Sequence, residues 1–297
     1  MISVSPNIYV VQPGPWPRFW GLLRRALVAA YEDNCFGVAK GAAYSTLLAF
    51  FPVLASIAAI LVQANAESIS RVLSEFLFEV VPPGTQDLVQ YEFTVRGQRP
   101  LWLLIVATLL SVWAASGAMM SLMEGFQAAY RLPSGRPFLK QRGVAVLLVF
   151  IVAIPALCAS LLILFGARTE RGVIEWAGFG SDGEQIKGWV AVLGKASRYL
   201  IALGSTVLVN GLLYYFGPNR ALKFSCVWPG ACVSTALWLL VTSGFAWYVR
   251  NIANYNVLYG SIGAVIALLV WMYLLAIITL IGCEYNAERE RQNFPIR

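Results

Sequence analysis

The chain has 297 residues, of which 59% are hydrophobic and 12% charged, with a formal net charge of +7 and a mean hydropathy of +0.67. A soluble domain is about 45–50% apolar and about 25% charged, so this composition excludes an ordinary water-soluble globule and places the chain in the membrane class. Histidine is absent, which removes the commonest general base, the commonest metal ligand and the usual physiological proton switch.

The first segment, residues 1–36, reads as a cytoplasmic arm. It opens on the Pro- and Trp-rich stretch VQPGPWPRFW. Phe19, Leu22, Leu23, Ala26 and Leu27 then recur at helical spacing beside Arg24 and Arg25, the pattern of a short amphipathic helix on a membrane face. No cleavable signal peptide is visible, so the first oily run is expected to remain as the first span. Residues 37–286 form the membrane domain, and 287–297 a cytoplasmic tail.

Six uncharged runs follow: Gly41–Ala66, Leu101–Met123, Gly143–Ala167, Tyr199–Asn219, Phe224–Val249 and Asn251–Cys283. About 20 mainly apolar residues cross the hydrocarbon core as a helix. None of the runs alternates with period two, so a barrel is excluded. The fold class expected is therefore all-α, a polytopic protein of six transmembrane helices. With the N-terminus inside, thirteen of the 22 Lys and Arg residues fall in the inner segments, which places both termini in the cytoplasm.

The first span carries Gly37 and Gly41, a GxxxG pair suited to close helix approach, then Tyr44, Ser45 and Thr46, then Pro52. The outer connection, 67–100, shows Ile69, Val72, Leu73, Phe76, Leu77 and Val80 at helical spacing before Pro82-Pro83-Gly84. The second span is striped with small residues (Ala107, Ser111 and Ala115; Ala114 and Ala118; Gly117 and Ser121) and ends near Glu124, Gln127 and Tyr130. The fourth holds Asn210, a buried amide that wants partners from another helix or a substrate. Before the sixth stand Asn254, Tyr255, Asn256 and Tyr259, with YGSIG as a candidate hinge. After it come Glu284, Tyr285 and Asn286.

This threading brings Lys40, Glu124 and Glu284 to one depth near the inner boundary. Intramembrane ionisable groups are functional-site candidates, so a pairing of Lys40 with either acid at a central cavity is the expectation, set against snorkelling at the boundary. The polar candidates for a substrate path are thus Lys40, Tyr44, Glu124, Asn210, Asn254, Tyr255, Tyr259, Glu284 and Asn286. Arg131, Arg136, Lys140 and Arg142 on the inner side, with Lys195 and Arg198 on the outer, are candidates for anionic lipid headgroups. The five cysteines form no CxxC pair and read as buried free thiols.

The tract PGACVSTALWLLVTSGFAWYVRNIANYNVLYGSIGAVIALLVWMYLLAIITLIGCEYNAE, Pro229 to Glu288, resembles the C-terminal half of the YihY/BrkB-type bacterial inner-membrane proteins, historically labelled ribonuclease BN. AAYSTLLAFFPVL, Ala42 to Leu54, resembles their first span, and AYRLPSGRPFLKQR, Ala129 to Arg142, their basic inner loop. Cys283 stands where that family often has alanine. The resemblance implies a six-span inner-membrane protein with transport of a lipid or other envelope component as its usual interpretation. It supplies no catalytic residues. RNA cleavage needs a general acid and base, or metal ions held by carboxylates and histidines. With no His and only Asp33, Asp87 and Asp182 as aspartates, no such cluster faces the cytoplasm. The expectation is a non-enzymatic transporter or flippase-like protein with membrane lipids as partners and an unidentified lipid or small-molecule substrate. Neither a cofactor, a metal nor a nucleic-acid partner is expected, and no Walker motif is present. A non-catalytic envelope scaffold is the alternative.

Overall fold

The computed structural model describes residues 15–63, 101–132, 136–176, 184–251 and 261–293. Seven helices occur among them: α1 Pro15–Glu32, α2 Cys35–Gln63, α3 Leu101–Ala129, α4 Phe138–Trp176, α5 Glu184–Phe216, α6 Phe224–Asn251 and α7 Ser261–Asn293. Each long apolar run becomes a helix because, in lipid, a helix satisfies every backbone N–H and C=O within the segment. Six stretches are long and apolar enough to cross a bilayer: Cys35–Ile57, Ile105–Ala129, Phe138–Ser160, Gly194–Phe216, Phe224–Val249 and Gly263–Gln292. The outer loop 67–100, and with it Asn254, Tyr255 and Tyr259, lies outside the described residues.

The spans pack as a ring in chain order. α2 meets α3, α3 meets α4, and so on to α7, which returns to α2 and also touches α3. α1 sits against α7. Its Leu22 and Ala26 are buried with Tyr285 and flanked by Phe19, while Arg24 and Arg25 on its other side are exposed.

α2 and α3 approach through small residues. A Cβ on Gly117 would rest 3.6 Å from Ser45, and one on Gly41 3.5 Å from Ser121. Deeper in, Ser56 and Ser111 hydroxyls bond across the pair at 2.9 Å. The GxxxG reading holds for Gly41 only, since the space over Gly37 is filled by the side chain of Asn34. Asn34 has a φ of 55° and turns the chain from α1 into α2. Asparagine tolerates that left-handed conformation better than most side chains.

The core is densest at the end where α1 lies. Met123, Phe126, Leu148, Tyr214, Val227 and Leu280 are buried there from α3, α4, α5, α6 and α7. The Phe126 and Tyr214 rings meet edge to face at 5.6 Å. Of the five cysteines only Cys35 and Cys283 are buried; Cys158, Cys226 and Cys232 are exposed on helices that line the outside of the ring. The expectation of five buried thiols is corrected accordingly: a span has a lipid side as well as a core side, and an apolar sulfur suits both.

Candidate functional site

Residues Gly282 to Asn286 occupy the middle of the packed end, not its edge. α7 continues helically for nine residues past Glu284, to Asn293. Gly282 faces Gly230 of α6. A Cβ on Gly282 would fall 2.8 Å from the Gly230 carbonyl oxygen and against the Tyr214 hydroxyl; a Cβ on Gly230 would meet the Gly282 oxygen. The two backbones therefore touch, as small residues at a membrane crossing permit.

Asn286 exploits that closeness. Its Oδ1 accepts from the Gly230 N–H at 2.7 Å and its Nδ2 donates to the Val227 carbonyl at 3.0 Å. Pro229, inside α6, lacks an N–H and interrupts the helical ladder there. The buried amide thus supplies a donor and an acceptor to the turn that proline disturbs. Tyr214 reaches across from α5 and donates to the Thr279 carbonyl at 2.7 Å. Asn210, also buried, donates to the Thr206 carbonyl in its own helix at 3.1 Å and to the Thr235 hydroxyl of α6 at 3.3 Å.

Glu284 is fully buried, and it is the sole acidic residue so buried among the described residues. Its Oε1 accepts from the Cys35 thiol of α2 at 3.6 Å, a weak donor. Its Oε2 has no hydrogen-bond partner. Unpaired buried polar atoms are rare in native proteins and call for a physical account. Glu284, Glu288 and Arg291 fall on one face of α7 at i, i+4 and i+7. Arg291 pairs with Glu288 and donates to the Ala129 carbonyl at the end of α3 at 2.6 Å. Arg220, from the α5–α6 connection, pairs with Glu290 at 2.7 Å and lies over the Tyr130 ring at 5.8 Å. Burial pushes the Tyr130 phenol well above its ordinary range; Cys283 and Glu290 act the same way and Arg220 opposes them.

The other two members of the expected charged level do not join Glu284. Lys40 and Glu124 are exposed on α2 and α3, and neither makes an ion pair among the described residues. Tyr44 is likewise turned outward, 61% exposed. The expected pairing of Lys40 with either acid is therefore not made among the described residues, because Lys40 and Glu124 face outward while Glu284 faces the core. Sequence reading also missed Cys35, Gly230, Tyr214 and Thr235 as partners. The signal for Gly230 was the adjacent Pro229, whose interrupted ladder demands a polar neighbour. No group of three or more His, Cys, Asp or Glu side chains that could hold a metal converges among the described residues.

The basic candidates have different surroundings. Arg131, at φ 50°, follows the end of α3, where Leu132 N–H bonds the Gln127 carbonyl and Arg131 N–H that of Ala128, a Schellman pattern. Its guanidinium lies 3.9 Å from Glu32 and 3.8 Å from Asp33. Arg136 donates to the carbonyls of Phe216, Gly217 and Pro218, closing the C-terminus of α5. Arg198 donates to the Gly194 carbonyl of its own helix. Lys140 and Lys195 are exposed. Arg142 reaches back onto α3, to the Trp113 carbonyl at 2.9 Å and the Met120 sulfur at 3.1 Å.

Six apolar helices in a ring, tied by interhelical polar contacts, define a polytopic α-helical membrane protein. The family described as virulence factor BrkB matches residues 26–295, and the chain belongs to it. Among relatives, it is 28% identical over 248 residues to the ribonuclease-like protein YfkH of Bacillus subtilis (strain 168), covering 82% of this chain and 86% of that one. It is 27% identical to a UPF0761 membrane protein of Alteromonas mediterranea, over 86% of this chain and 83% of that one. A UPF0761 membrane protein of Tolumonas auensis is 24% identical, over 92% and 82% of the two chains. No solved structure matches.

Proposed function

We propose that this membrane protein moves a lipid or another envelope component across the bacterial inner membrane, with Glu284 as the ionisable group on which movement depends and both termini in the cytoplasm. A single observation carries the reading: a carboxyl group wholly enclosed between α7 and α2, with one oxygen lacking any partner. A charge-capable group held inside a membrane protein is costly, and such groups mark substrate paths and proton relays. Glutamine in its place would pack equally well, so structural need alone does not explain an acid here. Lys40, Tyr44 and Glu124 on the surface, and Asn254, Tyr255 and Tyr259 before α7, remain candidate contacts for the moving molecule.

We read the protein as non-enzymatic. The ribonuclease-like name belongs to the Bacillus relative. A chain without histidine lacks the usual acid–base pair for that chemistry. The scaffold alternative is favoured by a different observation: Asn286, Asn210, Ser56 and Ser111 spend their hydrogen bonds on neighbouring helices.

Reconstitution into liposomes decides between the two. Transbilayer movement of a labelled phospholipid is measured for the wild type, Glu284→Gln and Glu124→Gln. Transport that falls to the protein-free rate in Glu284→Gln supports the proposal. Movement absent from the wild type supports the scaffold, and movement undiminished in Glu284→Gln overturns the role given to Glu284.

A further inference from the structure

Arg142 stands in the first turns of α4, and its guanidinium reaches the neighbouring helix α3. It touches Trp113 and Met120 of α3. The guanidinium carbon also sits 4.0 Å over the Trp113 ring, and Trp113 is 63% exposed on the outside of the bundle.

Its partners are inadequate for a cation. Arginine has five N–H donors in a planar fork. One goes to the Trp113 carbonyl, which already accepts from Ser116 at 2.7 Å. Another goes to a thioether sulfur, a weak acceptor. The Nε–H, turned inward, has no partner. No carboxylate lies within ion-pair distance of Arg142 among the described residues. Arg131, Arg220 and Arg291, by contrast, pair with acids. A half-buried guanidinium without a counter-ion is costly, and arginine suits phosphate because its fork matches two oxygens.

We infer that Arg142, backed by Trp113, is a binding site for the phosphate of an anionic phospholipid on the lipid-facing surface between α3 and α4. The bond to the Trp113 carbonyl lies at the exposed edge of the guanidinium. A headgroup phosphate drawn to that edge supplies the charge the chain omits, while Trp113 holds the fork flat by its π-face. The remaining donors of the outer nitrogens are then spent on phosphate oxygens. The inference rests on the transport reading only for what a bound lipid would do next, because binding is measured without flux.

The test uses the full-length protein in a neutral maltoside detergent, with lipid retention read by native mass spectrometry. Short-chain phosphatidylglycerol, phosphatidylcholine and inorganic phosphate are titrated separately. The wild type is expected to retain phosphatidylglycerol in preference to phosphatidylcholine. Arg142→Gln is expected to weaken that retention about tenfold, the loss of one charge-assisted contact. Trp113→Leu weakens it less. Arg142→Lys, which keeps the charge without the fork, should fall between wild type and Arg142→Gln, and guards against misfolding of the latter. Equal retention of the two lipids by the wild type, or undiminished retention by both Arg142→Gln and Trp113→Leu, would make Arg142 a strap between α3 and α4 and overturn the site. Displacement of phosphatidylglycerol by inorganic phosphate at equal concentration would overturn its assignment to a lipid. Failed flux with retained Arg142-dependent binding refutes the transport reading alone.

Discussion

Replacing Asn286 by leucine removes two hydrogen bonds while leaving a side chain of similar size. Both partners are backbone groups of α6, the Gly230 N–H and the Val227 carbonyl, and both bonds are buried. An unsatisfied buried polar group costs about 1–3 kcal/mol, so the two together set a ceiling of about 6 kcal/mol. In a membrane protein the unfolded reference keeps its helices and finds other partners, which reduces a typical side-chain bond to about 0.6 kcal/mol. Here Pro229 has already interrupted the ladder, and Gly282 against Gly230 leaves no space for water or a substitute. A loss of about 2–3 kcal/mol is therefore expected, near a hundredfold in the folding constant at its upper end. The measurement is an unfolding titration of the purified protein in mixed neutral and anionic detergent. Asn286→Asp serves as the internal control. Its carboxylate still accepts from Gly230 but cannot donate to Val227, and protonation restores a donor. Its deficit should shrink as pH falls, whereas that of Asn286→Leu should not. A leucine variant within about 0.5 kcal/mol of wild type would refute the account of this residue, since that is the ordinary range of inconsequential substitutions.

The same titration checks the rest. Gly282→Ala, whose methyl would press on the Gly230 oxygen and the Tyr214 hydroxyl, is expected to lose about 1–3 kcal/mol as overpacking does, while Gly244→Ala, with open space around it, should be neutral or stabilising. Glu284→Gln is expected to fold without loss of stability, and a loss above about 2 kcal/mol would mean that the acid is structural. Because the Tyr130 phenol is raised in the folded state, its contribution is full below the unfolded value of about 10 and is lost as pH climbs from there toward the folded value. Tyr130→Phe should flatten that alkaline decline, and an unchanged slope would refute the assignment. The partly exposed Arg220–Glu290 pair should show a coupling below about 1 kcal/mol in a double-mutant cycle.

The crossings were legible in the sequence because hydropathy and length report depth, and depth is a one-dimensional quantity. Lys40, Glu124 and Glu284 were placed at one level on that basis, yet Glu284 is enclosed and the other two face outward. The angle at which a side chain leaves a helix matters only relative to its neighbours, and six helices admit several arrangements. Glu284 also looked like a boundary marker because the uncharged run stops there. The helix carries on through Glu288 and Arg291, which make their own pairings. Asn210 was correctly recognised as an amide needing partners, but Thr235, in another span, could not be named from spacing. The small-residue stripes of the second span did find their counterpart, since Gly117 and Ser121 meet Ser45 and Gly41.

α7 is the most enclosed of the six crossings, and it is the last to be made. Its neighbours emerge from the ribosome first and must wait in the bilayer with a gap along α2 and α6. Until the C-terminal helix arrives, the turn at Pro229 has no amide to complete it and Cys35 has no carboxyl beside it. Shortening the chain by this one segment would accordingly leave five inserted helices without a common seat, a target for proteolytic clearance rather than a smaller working protein.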